Sequence, residues 1–230
     1  MPKHIGIVAC SAEGAALCYR TICTEAPAIM GRPYLHPEVS MHTHCLAEYM
    51  EFIYRDDWNG VADLMLSSAH KLAKAGAEFL ICPDNTIHRA FALVAPRSPL
   101  PWLHIVEEVA AEAQQRGFRK LAVTGTKYTM EGPVYPEKLA ASGIAHLMPN
   151  PDERARIDAI IMDELVNGIF ADESRKYLQR VIGRLGREGC DAVVLGCTEI
   201  PLIIDDASSP LPTLDSTRIL ARAAIRKALE

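Results

Sequence analysis

An internal repeat constrains the fold of this 230-residue chain more than any other feature of its sequence. Residues 76–86 (GAEFLICPDNT) align without gaps on residues 189–199 (GCDAVVLGCTE), so Asp84 and Cys197 take equivalent positions. Each segment is followed, after a short interval, by the same tripeptide, Pro-Leu-Pro. Chance similarity between two strands would account for the glycines and the apolar runs, but not for the flanking tripeptides. The sequence therefore predicts two similar halves.

The pattern around the repeated segments indicates an α/β fold. Short runs rich in valine and isoleucine alternate with longer stretches of helical periodicity, as in βα units that build a mostly parallel sheet. We expect a first α/β domain of residues 1–98 and 213–230, with the C-terminal helix packing back onto it, and a second of residues 99–212. Strands are predicted at residues 5–9, 39–42, 79–82, 121–124, 145–148 and 192–195.

Polar residues follow the repeated strands at their carboxyl ends. In open parallel sheets, ligands bind outside these ends, where loops and helix N-termini converge. If the two halves are related by pseudo-twofold symmetry, the two polar loops face each other across one cleft, which would hold the active site. A carboxylate would then lie opposite a thiol. The residues concerned are Asp84, Asn85, Thr86 in the first half and Cys197, Thr198, Glu199 in the second.

Composition and charge restrict the partners of the protein. The formal net charge is -5 and there is no long basic run, which argues against nucleic acid or an anionic membrane as a partner. No apolar stretch approaches the ~18 residues of a transmembrane helix, and the first residues lead directly into a strand. We expect a cytoplasmic protein that binds a small molecule.

The seven cysteines are scattered and form no Cys-x-x-Cys pair, which argues against a disulfide framework. Most of them are interpreted as small buried hydrophobic residues, and Cys82 is among these. Cys82 lies two residues before Asp84, so a shift of register would make it the counterpart of Cys197. Alignment on Asn85-Thr86 assigns that position to Asp84 instead.

Several short motifs occur in a specific order along most of the chain. They are residues 5–8 (IGIV), 57–58 (DW), 75–79 (AGAEF), 85–88 (NTIH), 125–126 (GT) with 129–130 (TM), and 195–201 (LGCTEIP). Together they resemble the aspartate/glutamate racemase family. The resemblance implies two Rossmann-like domains flanking the active site, no pyridoxal phosphate or other cofactor, no metal, and a homodimer. Family members usually carry one cysteine in each half; here Cys197 matches the second, and Asp84 stands at the first.

Inversion of a stereocentre requires removal of a proton from one face and delivery of another to the opposite face, so two acid/base groups must flank the carbon. A free cysteine titrates near ~8.5 and an aspartate near ~3.9, and partial desolvation in a cleft would raise the latter toward neutrality. We therefore expect a cofactor-independent isomerase, a racemase or epimerase of aspartate, glutamate or a close analogue. Cys197 and Asp84 are its expected acid/base pair.

Neighbouring polar residues are candidates for binding the substrate. The α-proton of an amino acid is weakly acidic, so donors must stabilise the charge that builds on the carboxylate; Asn85, Thr86 and Thr198 suit this task. A helix predicted over residues 86–94 would add backbone N–H groups and a favourable dipole. Thr126 and Thr129 either bind substrate or close a turn. Glu199 is either a residue that orients the site or a plain loop carboxylate.

Some alternatives for individual residues remain open. Asp84 could cap the following helix, alone or in addition to acting as a base. The histidine and cysteine residues at 36, 42, 44 and 45 invite a metal reading, since imidazole and thiolate are good zinc ligands. We do not favour that reading, because His42 and His44 alternate along the end of a predicted strand and no second ligand pair is evident. His88 and His104 are interpreted as hydrogen-bonding residues.

Two other functions fit the same residues. One is a reaction in which a single cysteine protonates an enolate, such as decarboxylation of a disubstituted malonate or isomerisation of a related dicarboxylate. The other is a non-catalytic homologue that binds an amino acid in the same cleft. Stabilisation by ligand without exchange of the α-proton would indicate the binding protein.

Overall fold

A computed structural model describes residues 2–230. The chain divides into two compact units: a first unit of Met1–Ile105 and Thr217–Glu230, and a second unit of Val106–Ser216. Each unit contains one four-stranded sheet in which every pairing is parallel. In both sheets the strands, counted along the chain within the unit, lie in the order second, first, third, fourth. The predicted α/β fold with two similar parallel sheets is confirmed.

The first unit alternates strands and helices in the manner predicted. Its four strands are β1 (Ile5–Ala9), β2 (Val39–Thr43), β3 (Phe79–Ile81) and β4 (Trp102–Leu103). Its helices up to residue 105 are α1 (Ala12–Ile29), α2 (Leu46–Tyr54), α3 (Trp58–Lys74) and the short α4 (Phe91–Val94), which lies between 3-10 turns at Thr86–Ala90 and Ala95–Arg97. Side chains cap the longer helices; Ser11 accepts from Gly14 N–H at α1, and Asp57 from Gly60 N–H at α3.

The second unit repeats this alternation. Its helices are α5 (Ile105–Gln115), α6 (Lys127–Glu131), α7 (Val134–Ala141), α8 (Pro151–Ala159) and α9 (Asp172–Arg187). Its strands are β5 (Lys120–Gly125), β6 (Ala145–Leu147), β7 (Ala192–Gly196) and β8 (Thr213–Asp215). A π-helical turn at Ile160–Glu164 and 3-10 turns at Leu165–Asn167 and Ile200–Leu202 complete it, and α10 (Ser216–Ala228) then returns the chain to the first unit.

Equivalent hydrogen bonds show that the repeat in the sequence is a repeat in structure. Leu80 N–H donates to Pro101 O at 2.8 Å, and its counterpart Val193 N–H donates to Pro212 O at 2.9 Å. The serine before each Pro-Leu-Pro tripeptide, Ser98 or Ser209, donates through its hydroxyl to the carbonyl of the leucine two residues later. The equivalence of Leu80 and Val193, which the alignment of residues 76–86 on 189–199 predicts, is therefore also seen in their hydrogen bonds.

Two glycines begin the repeated segments for a conformational reason. Gly76 and Gly189 have φ angles of +96° and +92°, in the region that residues with a Cβ atom rarely adopt. Each ends the connection from a helix and directs the chain into the central part of a sheet. The same backbone requirement thus recurs at the same position of both units.

The fourth strand of each sheet was not among the strands predicted from the sequence. β4 and β8 have two and three residues and follow the Pro-Leu-Pro tripeptides, which resemble linkers. β4 pairs with β3 in the first sheet and β8 pairs with β7 in the second. The predicted domain boundaries at 98/99 and 212/213 precede both strands, whereas the two units divide after them. Within residues 2–230, no helix is long and apolar enough to cross a membrane.

Candidate active site

In the first unit, Asp84 follows the carboxyl end of β3 by three residues. Its Oδ1 accepts a hydrogen bond from the backbone N–H of Ile87 at 3.2 Å, and its backbone carbonyl accepts from Nδ1 of His88 at 2.7 Å. Nε2 of His88 accepts from Ile105 N–H at 3.4 Å, which assigns the ring proton to Nδ1. The expectations that Asp84 caps the following turn and that His88 is a hydrogen-bonding residue are confirmed.

The segment after Asp84 differs from the helix predicted over residues 86–94. Thr86–Ala90 forms a 3-10 turn, and α-helical geometry begins only at Phe91. One of the first backbone N–H groups of this segment, that of Ile87, donates to the Asp84 carboxylate. Short polar side chains compete in this way with helix formation for nearby backbone donors. The segment is thus helical, as predicted, with 3-10 geometry in place of an α-helix from Thr86 to Ala90. Asn85 is buried and Thr86 is half-buried at the start of the turn.

Cys82 is fully buried, two residues before Asp84. Its Sγ donates weakly to the Asp84 carbonyl at 3.9 Å. Burial, followed by the negative charge of Asp84, raises the pKa of the Cys82 thiol well above its ordinary value. A thiol in these surroundings stays neutral near pH 7, which supports its interpretation as a structural residue.

In the second unit, Cys197 directly follows the carboxyl end of β7 and is half-buried. Its Sγ donates to Oε2 of Glu199 at 2.8 Å, and the hydroxyl of Thr198 donates to the same oxygen at 2.7 Å. Glu199 is 5% exposed, so this carboxylate is directed at the thiol rather than at solvent. The structure thus brings Cys197, Thr198 and Glu199 together through two hydrogen bonds to one carboxylate oxygen.

Thr126 and Thr129 lie beside the same end of the second sheet. Gly125 of β5 pairs with Gly196 of β7, so the residues after both strands leave the sheet at the same edge. Thr126 caps α6 by accepting from Thr129 N–H at 3.4 Å, and the two hydroxyls are 3.3 Å apart. A Cβ atom on Gly125 would lie 3.0 Å from the Thr129 side chain. Thr126 and Thr129 therefore close the turn that begins α6, and their binding of substrate stays a prediction.

Two hydroxyls that sequence reasoning missed hold the strand ends. In the first unit, Thr217 Oγ1 donates to the carbonyl of Pro83, directly before Asp84, at 3.5 Å. In the second unit, Ser216 Oγ donates to the carbonyl of Leu195, two residues before Cys197, at 3.0 Å. The signal available in the sequence was a Ser-Thr pair at the start of the last helix.

The histidines near residue 42 have partners other than metal. Nδ1 of His42 bonds Ser68 Oγ at 3.0 Å, and Nε2 of His44 bonds Ser67 Oγ at 3.1 Å. In the described part of the chain, no group of three or more His, Cys, Asp or Glu residues is placed to hold a metal ion.

Two of the arginines near the first repeat are engaged with acidic residues. Arg89 pairs with Asp56 at 3.1 Å and lies over the ring of Trp58, and Arg97 pairs with Asp63 at 2.9 Å. Both ion pairs are partly exposed to solvent.

A sequence profile for the Asp/Glu/Hydantoin racemase family matches residues 5–224, nearly the whole chain. The chain belongs to the Asp/Glu/Hydantoin racemase family. The resemblance found in its motifs is thereby confirmed. Racemases are isomerases, so the expected class of enzyme is confirmed at the level of the family.

Individual relatives agree with this family. The chain is 25% identical over 172 residues to the broad specificity amino-acid racemase RacX of Bacillus subtilis, covering 74% of this chain and 73% of RacX. An aspartate racemase homologue from Pyrococcus horikoshii has 30% identity and a TM-score of 0.86, with full coverage of both chains. A Yersinia pestis protein assigned as an Asp/Glu racemase has 31% identity and a TM-score of 0.91, covering 99% of this chain and 100% of its own.

The contact between Cys197 and Glu199 makes a testable prediction for this racemase-family protein. Ionisation of Cys197 places a thiolate against a carboxylate, and like charges at this distance disfavour one another. Glu199→Gln removes the negative charge, so we expect alkylation of Cys197 by iodoacetamide to reach half its maximal rate about one pH unit lower. Peptide mapping by mass spectrometry would follow Cys197 separately from the other cysteines.

Glu137→Gln is the matched control, because Glu137 is an exposed carboxylate on α7 of the same unit. It should leave the alkylation profile unchanged. Slower alkylation of Cys197 in Glu199→Gln at neutral pH would contradict the prediction and show that Glu199 withdraws the thiol proton.

Proposed function

We propose that this protein is a cofactor-independent racemase or epimerase of aspartate, glutamate or a close analogue, with Asp84 and Cys197 as its two acid/base groups. The proposal is supported by the aligned repeat, in which Asp84 and Cys197 take equivalent positions after the third strand of each sheet and Leu80 and Val193 make equivalent hydrogen bonds. Parallel sheets bind ligands at these carboxyl ends. Membership of a racemase family supplies the class of reaction.

In the proposed reaction, the two residues act on opposite faces of the α-carbon. One removes the α-proton as a base while the other, in its protonated form, delivers a proton to the opposite face. The bond pattern of the substrate is restored and the configuration is inverted. Each turnover exchanges the protonation states of Asp84 and Cys197, so the product enantiomer is the substrate of the reverse direction.

Polar groups next to the pair are proposed to bind the substrate. Donors that face the developing negative charge of the substrate carboxylate lower the barrier to loss of the α-proton. Asn85 and Thr86 supply such groups in the first unit, and Thr126, Thr129 and Thr198 supply hydroxyls in the second. Glu199, hydrogen-bonded to Cys197 and Thr198, would hold these two side chains in place.

We propose acidic amino acids as substrates because of the names of similar proteins and the chemistry of the site. One similar structure is that of an aspartate racemase homologue, while RacX is a racemase of broad specificity. Incubation with each enantiomer of aspartate, glutamate and a set of neutral amino acids in heavy water tests the proposal directly. Deuterium at Cα with loss of optical rotation is expected for an acidic amino acid. No exchange with any member of the set would refute the racemase.

One observation favours a second candidate, a decarboxylase that uses a single cysteine to protonate an enolate. Oδ1 of Asp84 is held by Ile87 N–H, so Asp84 already has a structural role. A decarboxylase would release carbon dioxide from a disubstituted malonate and would tolerate Asp84→Asn. A racemase should do neither.

The proposal includes a homodimer, which the family resemblance implies, and a cytoplasmic location, which is expected from the sequence. Light scattering after size-exclusion chromatography would measure the mass of the assembly directly. A mass equal to that of one 25.2 kDa chain would contradict the dimer.

A further inference from the structure

Tyr135 of α7 is a fully buried tyrosine next to the end of β7 in the second unit. A Cβ atom built on Gly196 would lie 3.7 Å from the Tyr135 hydroxyl oxygen and 3.2 Å from the methyl group of Thr129. The hydroxyl therefore lies beside the bare backbone of the last residue of β7, which directly precedes Cys197. Sequence reasoning missed Tyr135, because an aromatic side chain in a short helix is usually an ordinary core residue.

The backbone at Gly196 has no room for a side chain. A Cβ atom at this position would lie 2.6 Å from the carbonyl oxygen of Thr124, which is closer than such atoms approach one another in proteins. Gly196 pairs with Gly125 of β5, and a Cβ atom on Gly125 would lie 2.9 Å from the Gly196 carbonyl oxygen. Close-packed interiors transmit small displacements. A shift of either strand end therefore moves the residues that follow it, Thr126 and Cys197.

Ser216, at the start of α10, links Tyr135 to the same strand. Ser216 is 1% exposed, and its Oγ donates to the carbonyl of Leu195 at 3.0 Å. The Tyr135 hydroxyl is hydrogen-bonded to the Ser216 side chain. A serine hydroxyl has one proton, which Ser216 donates to Leu195, so its oxygen accepts the proton of Tyr135. The hydrogen bonds thus run from Tyr135 through Ser216 to the residue two positions before Cys197.

The Tyr135 hydroxyl keeps its proton at neutral pH. Burial raises the pKa of Tyr135 well above its ordinary value, the hydrogen bond to Ser216 opposes this effect to a smaller extent, and the negative charge of Asp215 adds to it. A buried hydroxyl that stays neutral cannot take part in proton transfer with a substrate at this pH. It can serve as a permanent hydrogen-bond donor to Ser216.

Resting on the role proposed above for Cys197, we propose that Tyr135 is a positioning residue for this cysteine: through Ser216 it holds the end of β7 and thereby fixes the place of the sulfur. Proton transfer requires the acid or base to lie within hydrogen-bond reach of the reacting carbon's proton. A misplacement of about 1 Å lowers the rate of such a step by about 100-fold. Loss of the Tyr135 hydroxyl therefore affects the rate of the reaction although Tyr135 transfers no proton.

The first test is hydrogen exchange of the backbone amides, followed by NMR in the substrate-free protein. Tyr135→Phe keeps the ring and removes the hydroxyl, so we expect the amides of Leu195 and Gly196 to exchange about tenfold faster. The amide of Leu121, at the other end of the neighbouring strand, should keep its rate. Tyr177→Phe is the matched control, because it removes a hydroxyl from a half-buried tyrosine on α9 of the same unit and should change none of these rates.

Ser216→Ala tests the link between Tyr135 and the strand. It should accelerate exchange of the same two amides, and adding Tyr135→Phe to it should have no further effect, since both substitutions break one chain of hydrogen bonds. Effects that simply add would overturn the proposal. Equal acceleration at Leu121 would overturn it as well, because it would indicate a general loss of stability.

The second test separates positioning from binding. In Tyr135→Phe, we expect kcat to fall by about 10–100-fold for both enantiomers while KM stays within about twofold of the wild type. An unchanged kcat would overturn the proposal. Amide exchange needs no turnover, so absence of α-proton exchange in the wild type would refute the racemase, while the rates at Leu195 and Gly196 would still decide whether Tyr135 holds the strand end before Cys197.

Discussion

Cys197→Ser is expected to abolish racemisation, with a loss of about 10²–10⁴-fold or more in kcat/KM for both enantiomers. A serine hydroxyl is too weak an acid and too poor a base at neutral pH to replace a thiol in proton transfer. Half of the chemistry should survive, because Asp84 can still remove and return the proton on its own face. Deuterium from heavy water should therefore enter one enantiomer without inversion, and should not enter the other.

Cys190→Ser is the matched control for this variant. Cys190 belongs to the same unit, is buried, and has a pKa raised mainly by burial, as expected for a structural thiol. Its replacement should reduce stability modestly and leave the exchange of both enantiomers in place. Equal exchange into both enantiomers by Cys197→Ser would show that Cys197 is not one of the two bases.

Asp84→Asn should lose racemisation by a similar factor while the protein stays folded. An asparagine side chain caps a turn as well as aspartate does, so its amide oxygen can still accept from Ile87 N–H. The asparagine side chain cannot take up a proton. Exchange of the α-proton should therefore be lost for the enantiomer that Asp84 deprotonates and should persist for the enantiomer that Cys197 deprotonates. The two variants should thus have opposite preferences for L and D substrates.

Two further substitutions separate the roles of Asp84. Asp84→Ala removes the cap as well as the base, and should cost about 0.5–2 kcal/mol of stability that Asp84→Asn does not. Asp84→Cys restores the two-cysteine arrangement usual in the family and should recover exchange from both enantiomers. If Asp84→Asn kept full activity, Asp84 would serve only to cap the turn. That result would favour the decarboxylase.

Much of the fold was accessible from the sequence because the repeat carries positional information. Gly76 and Gly189 both need a positive φ angle, which glycine adopts readily. The strands after them alternate with helices, and this alternation is typical of a parallel sheet. The strands β4 and β8 were missed because two or three residues after proline give no periodic signal. Their presence is decided by hydrogen bonds to β3 and β7, which are contacts with the rest of the sheet.

The site was accessible only in part, for a related reason. The sequence indicated Cys197 and Glu199 as neighbours, but not that the thiol donates to the carboxylate. It indicated that Asp84 could cap the following turn as well as act as a base, but not that its carboxylate accepts from Ile87 N–H.

The chain returns to the first unit through α10, and this affects the order in which the two units can fold during synthesis. Lys3 N–H donates to the carbonyl of Ala228 at 2.8 Å, and Arg222 pairs with Glu25 at 2.6 Å, so the first unit is closed by residues from both of its chain segments. During synthesis, all of residues 106–216 leave the ribosome before these contacts can form. The unit that is translated first is therefore the last to become complete, and until then Asp84 lacks the hydroxyl of Thr217 beneath its loop.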